Sequence, residues 1–472
     1  MLAGMQTETP TDSAAASLSA ATSAAVKRHW LTLTTLCLAV LVAQIDTVVV
    51  NLAARPIGAD LKVGIGALQW IVDSYNLVYA VLLLTGGLLT DLYGRRRIFM
   101  AGAGIFTAAS LLCAAAPSAS VLSVGRALAG LGAAFLVPAS LAIIRVVWRD
   151  PGERGRALGL WAACNGLAMA IGPTLGGLLI GHFGWRSIFL VVVPVGVAAF
   201  VLAVPSIPES SDPEGRHFDG AAQLLGAVAL GGLAFAAIQS HEAPELAIAA
   251  FLTAVLALVV FIRVEVSKGA AALVPLDVFR SRIFRGAVTA TAGMTFGMYG
   301  VLFLLPLSWL SARRFSALGA GIALIPMALV FVVVSPFSGA LTSRYGARTV
   351  AAGGVAIIGL GLVLIGLGAD HTTIITSEIG LVLTGLGMGI ATGPLMGAAV
   401  GAVAATRSGT ASALVNIARM VGATVGVALL GAVFAMAHGD ATGLRVAMLS
   451  GGAIQIACAA IAWRTMRPAQ AT

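Results

Sequence analysis

Charge is rare along this chain and comes in short bursts between long apolar stretches. No charged side chain occurs from Leu77 to Leu84, and the segment "DLYGRRR" (91–97) then places four charges in seven residues. Apolar stretches of that kind recur fourteen times, near 30–52, 67–90, 98–116, 121–147, 155–181, 187–205, 219–239, 244–263, 285–310, 317–341, 348–368, 374–402, 408–436 and 444–463. Each is long enough to cross about 30 Å of hydrocarbon as a helix. Two longer connectors, 205–218 ("PSIPESSDPEGRHF") and 263–285, flank the seventh and eighth stretches and give a six-two-six layout. The pattern predicts a disordered cytoplasmic tail over 1–29 and a six-helix bundle over 30–205. Linkers and two inserted membrane helices follow over 206–284, then a second six-helix bundle over 285–465 and a short cytoplasmic tail over 466–472.

Composition turns that pattern into a fold class. Hydrophobic residues make up 59% of the 472 and charged residues 10%, and mean hydropathy is +0.99. Soluble domains carry roughly 25% charge, so part of the solvent here is lipid, and the chain reads as an all-α integral membrane protein. The 57 glycines suit close helix packing in a bilayer. Cys37, Cys113, Cys164 and Cys458 all lie in apolar runs without ligand-like spacing, and no metal site is expected.

The net charge of +9 is topology more than partner choice. With the N-terminus in the cytoplasm, twenty basic residues fall on inner segments and six on outer ones, while Arg126 and Arg419 lie inside helices. That bias predicts a multi-pass protein of the cytoplasmic (inner) membrane with both termini inside. No basic, aromatic-rich face is left over for nucleic acid. The two halves also echo each other. Gly87, Leu89, Gly94 and Arg96 in "GGLLTDLYGRRR" recur at the same spacing as Gly339, Leu341, Gly346 and Arg348 in "SGALTSRYGARTV". Weak internal symmetry of this sort is expected of a transporter built from two bundles.

The loop Gly87-x-Leu89-x-Asp91-x-x-Gly94-Arg95-Arg96, placed after the second span, resembles the loop signature of the major facilitator superfamily. "GRALAGLGAAFLVPAS" (125–140) is similar to that superfamily's Arg-x-x-x-Gly-x-Gly segment. "AIGPTLGG" (170–177) is similar to its antiporter element, and "IDTVVVNLAARPI" (45–57), "GWRSIFLVVVPVG" (184–196) and "GTASALVNIARMVGATVGVALLG" (409–431) resemble segments of the fourteen-span drug:proton antiporters. The resemblance implies a major facilitator fold of two six-helix bundles plus two central helices. It implies export of hydrophobic or cationic small molecules by alternating access, driven by protons with no cofactor. Ser343 stands in the second-half loop where the first half has Asp91.

Four charges inside the spans are the expensive ones: Asp46, Asp73, Arg126 and Arg419. Counting about 1.5 Å per residue puts Asp46, Asp73 and Arg126 at similar depths in the outer half, on helices one, two and four. Asp46 is expected to carry the coupling proton, Asp73 to tune it or attract a cation, and Arg126 to modulate Asp46. Asp73 next to outer water, and Arg126 as a fixed structural partner, are equally open roles. Arg419, beside Gly422 and Gly426, reads as structural. Gly87, Asp91, Gly94, Arg95 and Arg96 are expected to form a conformational latch. Gly172, Pro173, Gly176 and Gly177 are expected to form a kink plus a packing face, with a hinge for opening as the alternative role. A substrate cavity is sketched from Trp161, Asn165, Met294, Phe296, Met298, Tyr299 and Asn416. A proton-coupled importer shares all these features. A membrane enzyme does not, because the histidines form no HExxH or Ser/His/Asp grouping; a channel lacks a repeated filter-like segment, and an ATP-driven pump lacks a GxxxxGK[ST] loop. A monomer in the bilayer is expected, with a small molecule and protons as its partners.

Overall fold

A computed structural model describes residues 11–211, 219–240, 243–269, 272, 274, 276–312, 315–369, 374–403 and 408–467. All regular structure among them is helical, in fourteen rods. The first six are α1 (Thr11–Leu61), α2 (Ile65–Tyr93), α3 (Arg95–Ala114), α4 (Ala119–Val147), α5 (Pro151–Phe183) and α6 (Ser187–Ser206). The inserted pair is α7 (Gly220–Gln239) and α8 (Pro244–Lys268). The last six are α9 (Arg282–Ser311), α10 (Ala317–Tyr345), α11 (Ala347–Leu367), α12 (Ile375–Gly401), α13 (Ser408–Met436) and α14 (Ala441–Thr465).

Twelve of these are long and apolar enough to cross a membrane, and α2, bent by 51° near residue 84, makes a thirteenth. The expected fourteenth, α5, is one unbroken helix through Pro173, but only Ile171–Phe183 counts as an apolar helix among the described residues, and it is short. Residues 11–29, expected as a disordered tail, are the helical start of α1; residues 1–10 lie outside the described part.

The halves pack by one scheme. In the first, α4 packs on α2 and α3, α1 on α5 and α6, and α3 on α6. The same pairs recur in the second as α12 on α10 and α11, α9 on α13 and α14, and α11 on α14. Small residues allow it: Gly132 of α4 faces the Gly102 carbonyl of α3, and Gly387 of α12 faces the Gly354 carbonyl of α11. Across the halves, α2 meets α13, α5 meets α10 and α1 meets α9. Helix α7 packs on both α2 and α13, covering that seam on its lipid side, and α8 packs mainly on α7.

The core is not uniform along the membrane normal. At the end far from the 94–97 loop, Val49–Ile57 and Leu68–Val72 of the first half share one continuous apolar core with Val301–Leu310 and Ala320–Met327 of the second. At the basic end, the cluster around Leu33–Ala43, Tyr75–Leu83, Phe99–Ala109 and Leu136–Ile144 belongs to the first half, with Met420 of α13 its one fully buried guest. The bundles are therefore fused at the far end and separate cores at the basic end.

Candidate functional site

Helices α1, α2 and α4 converge on Arg126, whose side chain is 1% exposed. Its guanidinium forms an ion pair with Asp46 of α1, and its Nε donates to the Ile71 carbonyl of α2 at 3.2 Å. The Tyr75 ring lies 4.5 Å beneath the guanidinium carbon, and the Tyr75 hydroxyl donates to the Ala43 carbonyl at 3.4 Å. An arginine fork in a dry site can satisfy a carboxylate, a carbonyl and an aromatic face together. Asp46 thus has its charge matched by a single buried partner, and the cluster binds three helices of the first half.

Asp73 stands apart. It is fully buried, and neither of its carboxyl oxygens has a hydrogen-bond partner. The three acids and bases expected together on α1, α2 and α4 are therefore two together and one alone. The reason is helical geometry: Ile71 and Tyr75 meet Arg126, and Asp73 points from the opposite face. That face carries Gln69, Asp73 and Asn76 at i, i+4 and i+7. Gln69 donates to the carbonyls of Val427 and Ala428 on α13, 3.0 Å each, so the stripe faces the α2–α13 seam. Ser74, Asn76 and, on α13, Thr424 also bury an unpartnered oxygen. Asp73 does not reach outer water in this state, although that was one of its expected roles.

The other seam joins α5 to α10. A Cβ at Gly177 would come within 2.8 Å of the Ala317 carbonyl, and Gly321 lies against the Pro173 carbonyl. Gly172 and Gly176 rest on Val48 and Val49 of α1. The predicted kink residues are thus the close-contact surface between α1, α5 and α10. The Gly422 and Gly426 spacing likewise brings α13 against the Ala292 and Phe296 carbonyls of α9.

The loop at 87–97 is held from within its own half. Asp91 pairs with Arg95 at 3.1 Å. Gly94 has φ +107°, a conformation that side chains strain to adopt, and it separates α2 from α3. Arg95 donates its backbone N–H to the Ser210 carbonyl at 2.8 Å, and Arg96 donates its own to Glu209 at 3.2 Å. Arg96 and Arg97 also approach the Glu209 carboxylate at 3.8 Å. Glu209 thus supplies negative charge to the N-terminus of α3, where helix N–H groups lack partners. Sequence reasoning placed Glu209 in a linker and missed it. The signal was an acid following the sixth span at the same membrane face as three arginines.

The sketched cavity scatters. Met294, Phe296 and Met298 are buried in the core of α9, which is packed on all sides. Met294 and Met298 share one face at i, i+4, and Phe296 points from the opposite one. Trp161 donates from Nε1 to Ser140 at 3.0 Å, which joins α5 to α4. Asn416 is half-buried, with its side chain donating to the Ser412 carbonyl at 3.1 Å. Tyr299 is buried beside α13, within electrostatic reach of Arg419. The Asn165 side chain lies outside the described part.

Two matched bundles that meet along two seams, with a lone acid at one seam and a paired one inside the first bundle at membrane depth, have the architecture of a membrane transporter. The family model described as Major Facilitator Superfamily matches residues 36–427, and the chain belongs to that superfamily. It is 34% identical over 394 residues to the multidrug resistance protein Stp of Mycobacterium tuberculosis, covering 83% of this chain and 73% of that one. It is 33% identical over 438 residues to the methylenomycin A resistance protein of Bacillus subtilis, covering 91% and 92%. It is also 32% identical over 409 residues to the multidrug efflux pump LfrA of Mycolicibacterium smegmatis, covering 86% and 81%.

Proposed function

We propose that this transporter exports hydrophobic small molecules across the cytoplasmic membrane in exchange for protons, with both termini inside. The names of the relatives support export of drugs or antibiotics, and the bias of basic residues supports the orientation. In that orientation the basic end faces the cytoplasm. On this reading the fused far end is the closed side, and substrate from the cell enters from the basic end.

The observation that carries proton coupling is Asp73: a carboxyl group sealed in a seam between the halves with no partner for either oxygen. An ionised carboxylate there is an uncompensated buried charge, and a proton removes that cost. Alternating access must part the far ends of α2 and α13, which brings water to Asp73 and makes its charge tolerable. Proton occupancy is thereby tied to which end is open. Asp46 already has Arg126 as its counter-charge, so in this reading the pair positions α1, α2 and α4 while Asp73 carries the proton. The 87–96 loop, tied to Glu209 and Ser210, holds α2 and α3 against the end of α6 and sets which packing of the bundles is favoured.

The test is transport in proteoliposomes with an imposed pH gradient, using cationic, neutral and anionic hydrophobic dyes. Asp73→Asn should lose gradient-driven accumulation by about tenfold or more and keep gradient-free dye exchange. Accumulation at the wild-type rate in Asp73→Asn rules out this assignment.

A further inference from the structure

Asp73 is not the sole intramembrane charge on the α2–α13 seam. Arg419 sits eleven residues after the start of α13 and seventeen before its end. At about 1.5 Å per residue that is roughly 16 Å from one end and 26 Å from the other, near the bilayer centre. No carboxylate pairs with it among the described residues, and its Nε has no hydrogen-bond partner. Arg126 has a carboxylate, a carbonyl and an aromatic ring around it, whereas Arg419 has no ionic partner among the described residues.

Its surroundings are those of a binding group. Tyr79 of α2 and Tyr299 of α9, one from each half, both lie within electrostatic reach of the guanidinium. Arg419 is half-buried, and one turn away Asn416 is half-buried on the same face. The neighbouring Met420 and Ile417 pack into the first-half core, so this stretch of α13 bridges the bundles. The lipid side is covered. Leu230 of α7 joins that same core cluster, and Gly231 faces Leu77 of α2. On α13, Arg419 shares the face of Gly422 and Gly426, which lies against α9, and it adjoins the face of Met420 and Ile417, which packs into the first-half core, so its side chain stands between α9 and α2. Both acids at membrane depth in the first half are sealed, Asp46 by its ion pair and Asp73 by burial. Of the four charges inside the spans, the one that is neither paired nor fully buried among the described residues is the positive Arg419.

We infer that Arg419, flanked by Tyr79 and Tyr299, is the recognition site for an acidic group on the transported molecule, a carboxylate, phenolate or sulfonate on an otherwise apolar frame. The planar guanidinium offers donors in a fork that fits such an oxyanion, and the two phenols can add hydroxyl donors from opposite halves. Because Tyr79 and Tyr299 belong to different bundles, a bound anion is contacted by both and is sensitive to their relative movement. This inference rests on the export reading for its biological meaning, but binding itself can be measured without transport.

The experiment is equilibrium binding to purified protein in detergent, by fluorescence anisotropy, with fluorescein as the anionic probe and rhodamine 6G as a cationic one on the same xanthene ring. Wild type should bind fluorescein. Arg419→Gln should weaken fluorescein by about tenfold or more and leave rhodamine 6G unchanged or tighter. Arg419→Lys should fall between, since it keeps the charge and loses the fork. Tyr79→Phe and Tyr299→Phe should each weaken fluorescein severalfold, which supplies the reading if Arg419→Gln fails to fold. No fluorescein binding by wild type, equal weakening of both dyes, or unchanged fluorescein binding in Arg419→Gln overturns the assignment. A charge-selective loss of binding together with failed pH-driven export leaves this site standing and removes the proton reading alone.

Discussion

The two halves of this transporter share a scaffold and differ in where they keep charge. Gly130 of α4 lies against the Tyr75 carbonyl of α2, and Gly385 of α12 lies against the Met327 carbonyl of α10. The loops after α2 and α10 each turn on a positive-φ glycine, Gly94 and Gly346. Each also sends an arginine to the last helix of its half, Arg96 to the Val204 carbonyl at 3.5 Å and Arg348 to the Trp463 carbonyl at 2.5 Å. Yet the first half adds Asp46, Asp73, Asp91 and the buried Arg126. Aligning Gly130-x-Gly132 with Gly385-x-Gly387 puts Leu381, fully buried, where Arg126 stands. At this position the second half uses packing where the first uses electrostatics, and its own intramembrane charge, Arg419, lies on another helix. The lesson is that a helix at this place in the scaffold can pack without an ion pair, as Leu381 shows.

Copying the second half into the first at this point should have the largest effect. Arg126→Leu leaves Asp46 buried without its partner, and removing one member of a buried pair costs about 3–5 kcal/mol. The variant should give little folded protein by size exclusion and thermal melting in detergent. Asp46→Leu combined with Arg126→Leu should recover most of that stability, since neither charge is then stranded. Full recovery of pH-driven transport in the double variant would show that the pair has no role beyond structure.

The two loop glycines break the symmetry more gently. Gly346 has φ +80° with nothing near a Cβ, so Gly346→Ala should cost backbone strain alone, about 1–2 kcal/mol. Gly94 has the same need for positive φ, and a Cβ there would also lie 2.7 Å from the Glu209 carboxylate. Gly94→Ala should therefore lose stability as Gly346→Ala does and in addition push Glu209 off the α3 N-terminus. Melting temperatures of the two variants side by side, with transport rates, check the difference. Equal losses would mean that Glu209 contributes little. Glu209→Gln isolates that contribution. Its side chain is 30% exposed, so screening limits the loss to about 1 kcal/mol or less, and it should shrink further in high salt.

Much of this was legible in the sequence. Fourteen apolar stretches, the six-two-six spacing and the repeated loop came from period and composition, because lipid forces every span to satisfy its own backbone. The Asp46–Arg126 pair was half legible: depth along the helices matched, but nothing in the spacing said that Tyr75 and the Ile71 carbonyl would complete the site. Asp73 was read as part of that group because residue counting gives depth and not azimuth. The stripe of Gln69, Asp73 and Asn76 was the available signal that it faced elsewhere. The residues sketched for substrate on α9 raise the same question of azimuth. Met294, Phe296 and Met298 alternate around a helix that is packed on every side, and an apolar residue looks the same in a wall or in a core. The place of α7 over the α2–α13 seam depends on contacts between helices far apart in the chain, which no local pattern encodes.

The smallest effect is expected outside both halves, in the inserted pair, which has no counterpart to be compared with. Asp219 caps α7 by accepting the Ala222 N–H at 3.1 Å and pairs with Lys268 at the end of α8. Hydrogen bonding from Lys268, helped by the backbone N–H groups, holds its carboxyl below the usual carboxylate range. A carboxyl group lowered in the folded state stabilises at neutral pH, and that stabilisation is lost as pH falls through and below its ordinary value of about 3.9. Asn caps a helix nearly as well as Asp, so Asp219→Asn should lose the Lys268 pair and little else, about 1 kcal/mol or less. The melting temperatures of wild type and variant should differ slightly at pH 7 and converge as the pH drops below about 4. A gap that persists unchanged into acid would assign the Asp219 effect to capping geometry and not to its ion pair with Lys268.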